Sequence, residues 1–102
     1  MLSDSVDVRY VALPGDGGFC AMRMGHRIGE ITIVRVGLDK LVIERTVIDA
    51  GYDKSEIGTN LVRCVCNMAR VQGRKIITLC PFARSILCKY PEFDELRALH
   101  TR

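Results

Sequence analysis

Residues 53–75 read DKSEIGTNLVRCVCNMARVQGRK, and their period decides the fold. Ile57, Leu61, Val65, Met68 and Ala69 recur at helical spacing, while Asn60, Arg63, Asn67 and Arg70 fall on other faces. The stretch predicts an amphipathic helix. Asp53 followed by Glu56 has the spacing of a capping box and marks its start. Gly73, which takes the left-handed conformation at no steric cost, marks its end. Upstream the period is that of strands. Residues 7–13 and 18–24 flank Pro14, Gly15, Asp16 and Gly17, a turn-forming group, and read as a hairpin. Residues 28–36 and 40–48 are rich in Ile, Val and Thr, and three residues between them suffice to join antiparallel neighbours. Downstream, residues 75–79 form a short β-branched run, expected to lie parallel to an earlier strand because a helical crossover favours parallel return. Pro81 opens a second helical stretch over 82–89, and Pro91 closes it, leaving 92–99 as a short final helix or tail.

The chain has 102 residues, 48% hydrophobic and 26% charged, which is the size and composition of one globular domain over 1–102. No apolar run approaches the roughly 18 residues of a membrane span, and the first ten residues lack the basic start and apolar stretch of a secretory signal. A cytoplasmic protein is expected, with no membrane partner. Cys20, Cys64, Cys66, Cys80 and Cys88 are odd in number and form no CxxC pair, which argues against a disulfide framework and a four-cysteine zinc site. Cys64 and Cys66 point about 200° apart on a helix and cannot share one ion, so one faces the core, one the periphery, and no metal is expected. A net charge of +3 is mild beside nucleic-acid binders, and Arg63, Arg70, Arg74 and Lys75 come with no aromatic stacking platform. They read as a solvated face. His26 reads as a solvated turn residue, His100 as tail, and Tyr90, Phe93 and Leu96 as packing on the sheet.

One place in this order of elements favours a ligand. Residues 49–56 lead directly into a helix whose first N–H groups lack internal partners, and such a terminus attracts phosphate. The segments GEITI (29–33), RTVI (45–48), IGTNLV (57–62) and KIITLCPF (75–82), followed by YPEF (90–93), together resemble the small GNAT-like N-acetyltransferases. The likeness runs from about Gly18 to Leu96 and is specific because all five pieces occur in order. It implies an α/β (α+β) fold: a mostly antiparallel mixed sheet splayed between its fourth and fifth strands, a central amphipathic helix and a C-terminal helix. It also implies acetyl-CoA in the cleft and transfer of acetyl to an amine. The cofactor would be held by Val47, Ile48, Lys54, Ser55, Glu56, Ile57, Gly58, Thr59, Pro81 and Phe82. Cys80 would be catalytic, either protonating the departing thiolate or accepting acetyl itself.

The chain departs from that pattern at two places. Relatives usually carry His-Thr-Glu-Val where this chain has Arg45, Thr46, Val47 and Ile48, and a GxGIG loop where it has Lys54, Ser55, Glu56, Ile57 and Gly58. Side chains in place of glycine restrict how amides crowd onto a diphosphate. Glu56 opposes it in charge, and with Asp53 can cap the helix and occupy the amides, while Lys54 offers a cation. Two readings follow: an acetyl-CoA-dependent N-acetyltransferase, monomeric or weakly dimeric, or a degenerate GNAT-like interaction module with weak or no CoA binding. A small nucleic-acid binder is the third and least supported. The enzymatic reading depends on a wedge beside the first turn of the long helix that the protein's own side chains leave open.

Overall fold

The computed structural model describes residues 7–98. Strand β1 (Val8–Ala12) turns through a 3₁₀ segment at Pro14–Asp16 into β2 (Gly18–Arg23). Strand β3 (His26–Val36) follows after Met24 and Gly25, both at positive φ, as a two-residue hairpin turn with the twist of its strands requires. His26 is therefore not in a turn: it is the first residue of β3, exposed and opposite Arg23. Strand β4 (Lys40–Ile48) completes the antiparallel meander, and the sheet order is β1-β2-β3-β4-β5.

Helix α1 (Lys54–Gln72) has Asp53 as its N-cap, the carboxylate accepting from the Glu56 N–H, and Gly73 as its left-handed C-cap, bonded to Ala69 and Arg70. It crosses over to β5 (Lys75–Thr78), which pairs parallel to β4. Helix α2 (Pro81–Lys89) and a 3₁₀ turn at Pro91–Leu96 complete the described chain. Among the described residues no helix is long and apolar enough to cross a membrane.

The core lies between α1 and one face of the sheet. Ile57, Leu61, Val65 and Ala69 pack with Ala21, Ile28, Ile31, Ile33, Leu41, Ile43 and Ile76. Val62 and Cys66 are also fully buried, whereas Met68 is only half-buried. The apolar stripe of α1 is thus wider on one side than its period alone indicates, because α2 and the final turn cover a second flank with Ala83, Ile86, Leu87, Phe93 and Leu96. Cys64 faces the periphery and Cys66 the core, as their spacing requires.

The basic residues of α1 hold the final turn in place. Arg63 pairs with Glu92 and lies 5.3 Å from the Phe93 ring centroid, while Arg70 reaches Glu95 and the Glu92 carbonyl. Arg74 donates to the Gly37 and Lys40 carbonyls, and Lys75 to the Glu95 carbonyl. These cations staple α1 and β5 to their neighbours and do not form a free face.

Candidate functional site

Strands β4 and β5 pair only from Lys40↔Lys75 to Ile43↔Thr78, with one further bond from the Leu79 N–H to the Ile43 carbonyl at 2.9 Å. Beyond that point they part. The parting begins at a bulge: Thr32 faces Arg45 while Ile33 faces Ile43, leaving Glu44 as the extra residue of β4. Residues 45–48 therefore have β3 on one side and an open edge on the other. Asp49 donates to the Ile28 carbonyl at 2.8 Å. Strand alternation accordingly turns the main-chain groups of Ile48 and Thr46 the opposite way, into the wedge.

Cys80 lies in this wedge. It is the N-cap of α2, with Pro81 at the first helical position and the Arg84 N–H bonded to its carbonyl at 3.0 Å. Its side chain makes no formed cap hydrogen bond, yet the N–H groups of Phe82 and Ala83 lie close enough to favour the thiolate. Thr46 approaches the same Sγ with both backbone and hydroxyl; apart from this approach the buried hydroxyl has no hydrogen-bond partner among the described residues. Burial pushes the thiol up. The Ala83 amide, the Thr46 hydroxyl and backbone and the Phe82 amide together outweigh it, so the Cys80 pKa falls below its ordinary 9.0.

The first turn of α1 borders the wedge and is differently furnished. Asp53 Oδ1 accepts from the Glu56 N–H at 2.9 Å, and the Ile57 N–H is bonded to the Asp53 carbonyl at 2.9 Å. Ile57 is fully buried, so it presents neither side chain nor amide. Gly58 lies under the Phe82 ring: a Cβ there would come within 2.4 Å of two ring carbons, and within 3.5 Å of the Ile48 side chain. Phe82 therefore fills the part of the wedge against α1, so the opening expected beside the start of the long helix is closed there by a side chain and the wedge is open only along β4. The Lys54 ammonium lies 5.6 Å from the centroid of that ring. Ser55, Glu56 and Pro81 are exposed, and Thr59 is half-buried.

Tertiary structure thus brings Ile48, Gly58, Phe82 and Cys80 around one wedge, open along β4 and closed by Phe82 at the helix, whereas Val47, turned the opposite way by the same alternation, lines a cavity on the other face. Thr46, absent from the sequence-derived set, is the residue that meets Cys80. Its signal was available in strand parity, which turns it and Ile48 to the same side. On the far side of Val47, Arg27, Gly29, Glu30, Arg45 and Asp49 enclose a cavity of about 140 Å³. There Glu30 bridges Arg27 at 3.0 Å and Arg45 at 3.6 Å. Among the described residues no group of His, Cys, Asp and Glu is placed to hold a metal ion.

Solved structures share this architecture. A Staphylococcus aureus protein named as a GCN5-like N-acetyltransferase, determined by NMR, superposes with a TM-score of 0.72 at 21% identity, over 94% of this chain and 93% of its own. Ribosomal-protein-alanine N-acetyltransferase from Brucella melitensis gives 0.61 at 13% identity, over 88% of this chain and 67% of its own. An aminoglycoside acetyltransferase from an uncultured soil metagenomic sample gives 0.54 at 13% identity, over 82% and 62%. These likenesses establish the fold. No curated protein sequence matches the chain. The family profile described as GCN5-related N-acetyl-transferase matches residues 19–96, which is most of the chain including β4, α1 and Cys80, and the chain belongs to that family.

Proposed function

We propose that residues 1–102 act as one acetyl-CoA-dependent N-acetyltransferase domain, a monomer or weak homodimer, which passes acetyl to an amine in the cytoplasm. The observation that carries this reading is the meeting of Cys80 and Thr46 where β4 leaves β5. An acyl-pantetheine arm is a chain of amides that hydrogen-bonds as a peptide strand does, and the unpaired edge at Thr46 and Ile48 fits it. When bound, acetyl-CoA supplies an activated thioester acyl group. Cys80 holds a proton at Sγ beside that edge, and the Phe82 and Ala83 amides with Thr46 receive the charge left when the proton moves. The cavity beyond Val47 gives the acceptor a separate approach, with the Asp49 carboxylate at its edge available to an ammonium group and Glu30 held between Arg27 and Arg45. Five free cysteines accord with a reducing compartment.

The other reading, an interaction module that binds CoA weakly or not at all, is favoured by the Asp53 cap on Glu56 and by Phe82 against Gly58. Titration with acetyl-CoA separates the two. At a hundred times its dissociation constant a ligand stabilises by about 2.7 kcal/mol, a rise of several degrees in Tm for a domain this small. The enzymatic reading expects that rise, with amide NMR shifts centred on residues 45–48 and 80–83. Neither rise nor shifts at millimolar acetyl-CoA would leave only the interaction module.

A further inference from the structure

We infer that the site recognises its donor by the acyl-pantetheine arm and gives no grip to the diphosphate, so that an uncharged pantetheine thioester binds as well as the nucleotide-bearing one. This rests on the reading just given. An arm lying along β4 past Ile48 runs into residues 49–53 and the first turn of α1, the place where free amides and partial positive charge ordinarily meet phosphate. Here the Asp53 carboxylate is seated on one of those amides, the Glu56 N–H, at 2.9 Å, while the Ile57 N–H makes the helix's own first bond to the Asp53 carbonyl.

Charge points the same way. Asp49, Asp53 and Glu56 are all exposed around this turn, and each carboxylate repels a diphosphate. Lys54 is the opposing cation on the turn, and its ammonium is drawn over the Phe82 ring. Backbone approach is closed as well: Phe82 lies against Gly58, so no groove runs along the turn at that point. A diphosphate arriving here meets a negative, already capped helix start.

The test compares acetyl-CoA with S-acetylpantetheine, which lacks every phosphate, by isothermal titration calorimetry on the full chain, with amide NMR shifts as a second readout. The expected result is a Kd ratio within threefold of unity, both donors shifting residues 45–48 and neither shifting 54–56 strongly. Acetyl-CoA binding tenfold or more tightly than S-acetylpantetheine would overturn the inference while upholding the enzymatic reading. Binding of neither would remove the enzymatic reading and the inference with it. Asp53→Gly combined with Glu56→Gly frees the amide and removes two charges, and should raise the preference for acetyl-CoA at least tenfold. Glu56→Gln, whose side chain takes no part in the cap, keeps the helix start intact and should raise it about threefold. An unmoved preference in both variants, each checked for an intact melting transition, would also overturn the inference.

Discussion

At Cys80 two effects oppose each other, and the balance decides what the side chain does. Burial disfavours a thiolate, yet the start of α2 and Thr46 supply enough hydrogen bonding to bring the pKa below 9.0. A thiol so placed releases its proton more readily than a free one. On the proposed reading, Cys80→Ala lowers kcat for acetyl transfer by tenfold or more. The wild-type rate falls on the alkaline side below pH 9, because the proton that Cys80 must deliver is lost as pH rises through its lowered pKa. Cys80→Ser should remove that alkaline limb. A steady-state pH profile of the three proteins checks both outcomes, and unchanged turnover in Cys80→Ala would retire the thiol from the mechanism. Strand parity gives the side to which Thr46 turns, but neither its meeting with Cys80 nor the electrostatics of that meeting is legible along the chain. The two residues belong to different elements, and their proximity depends on how far the wedge opens.

Among the elements, α1 and α2 are coupled through one close contact. Gly58 is buried in the first half of α1 because the Phe82 ring, from the start of α2, occupies the position where a Cβ would stand. Gly58→Ala should destabilise the fold by about 1–3 kcal/mol, the usual cost of overpacking. Phe82→Ala removes the obstacle, so Gly58→Ala in that background should cost far less. A double-mutant cycle by urea unfolding reads the coupling directly, and additivity of the two substitutions would show that ring and glycine are not in contact. The bounds of α1 itself were legible beforehand, since Asp53 and Gly73 act through the backbone within a turn of their own positions. The width of its buried stripe was not: Val62 and Cys66 are buried because α2 and the Pro91–Leu96 turn close over them.

For the whole molecule, Cys66 ties global stability to pH. It is fully buried under the final turn, and burial pushes its pKa up from 9.0 to about 12. A raised acid pKa means that the folded state keeps the neutral thiol while the unfolded chain ionises. Its contribution to stability is complete below pH 9 and is lost as pH rises from 9 towards 12. Burial also raises Cys64 and Tyr10 and acts in the same direction. Urea unfolding at pH 8, 10 and 11 should show a loss on the order of 2 kcal/mol by pH 11 from Cys66. Cys66→Ala should show a correspondingly shallower slope, and parallel slopes would remove Cys66 as the cause.

Period, caps and turn residues by themselves determined the order of elements, the antiparallel meander, the parallel fifth strand and the ends of α1, because each acts over a few neighbouring residues. The five spaced segments also sufficed to place the chain among GCN5-related N-acetyltransferases. What only the tertiary structure decided is the furnishing of the wedge: Thr46 turned to Cys80 and Phe82 laid on Gly58. The seating of Asp53 on the amide of Glu56 was legible in the sequence, yet it draws its consequence from what stands beside it. Whether a helix start receives a ligand depends on which side chains from other elements reach it first, and that competition is settled by packing in three dimensions.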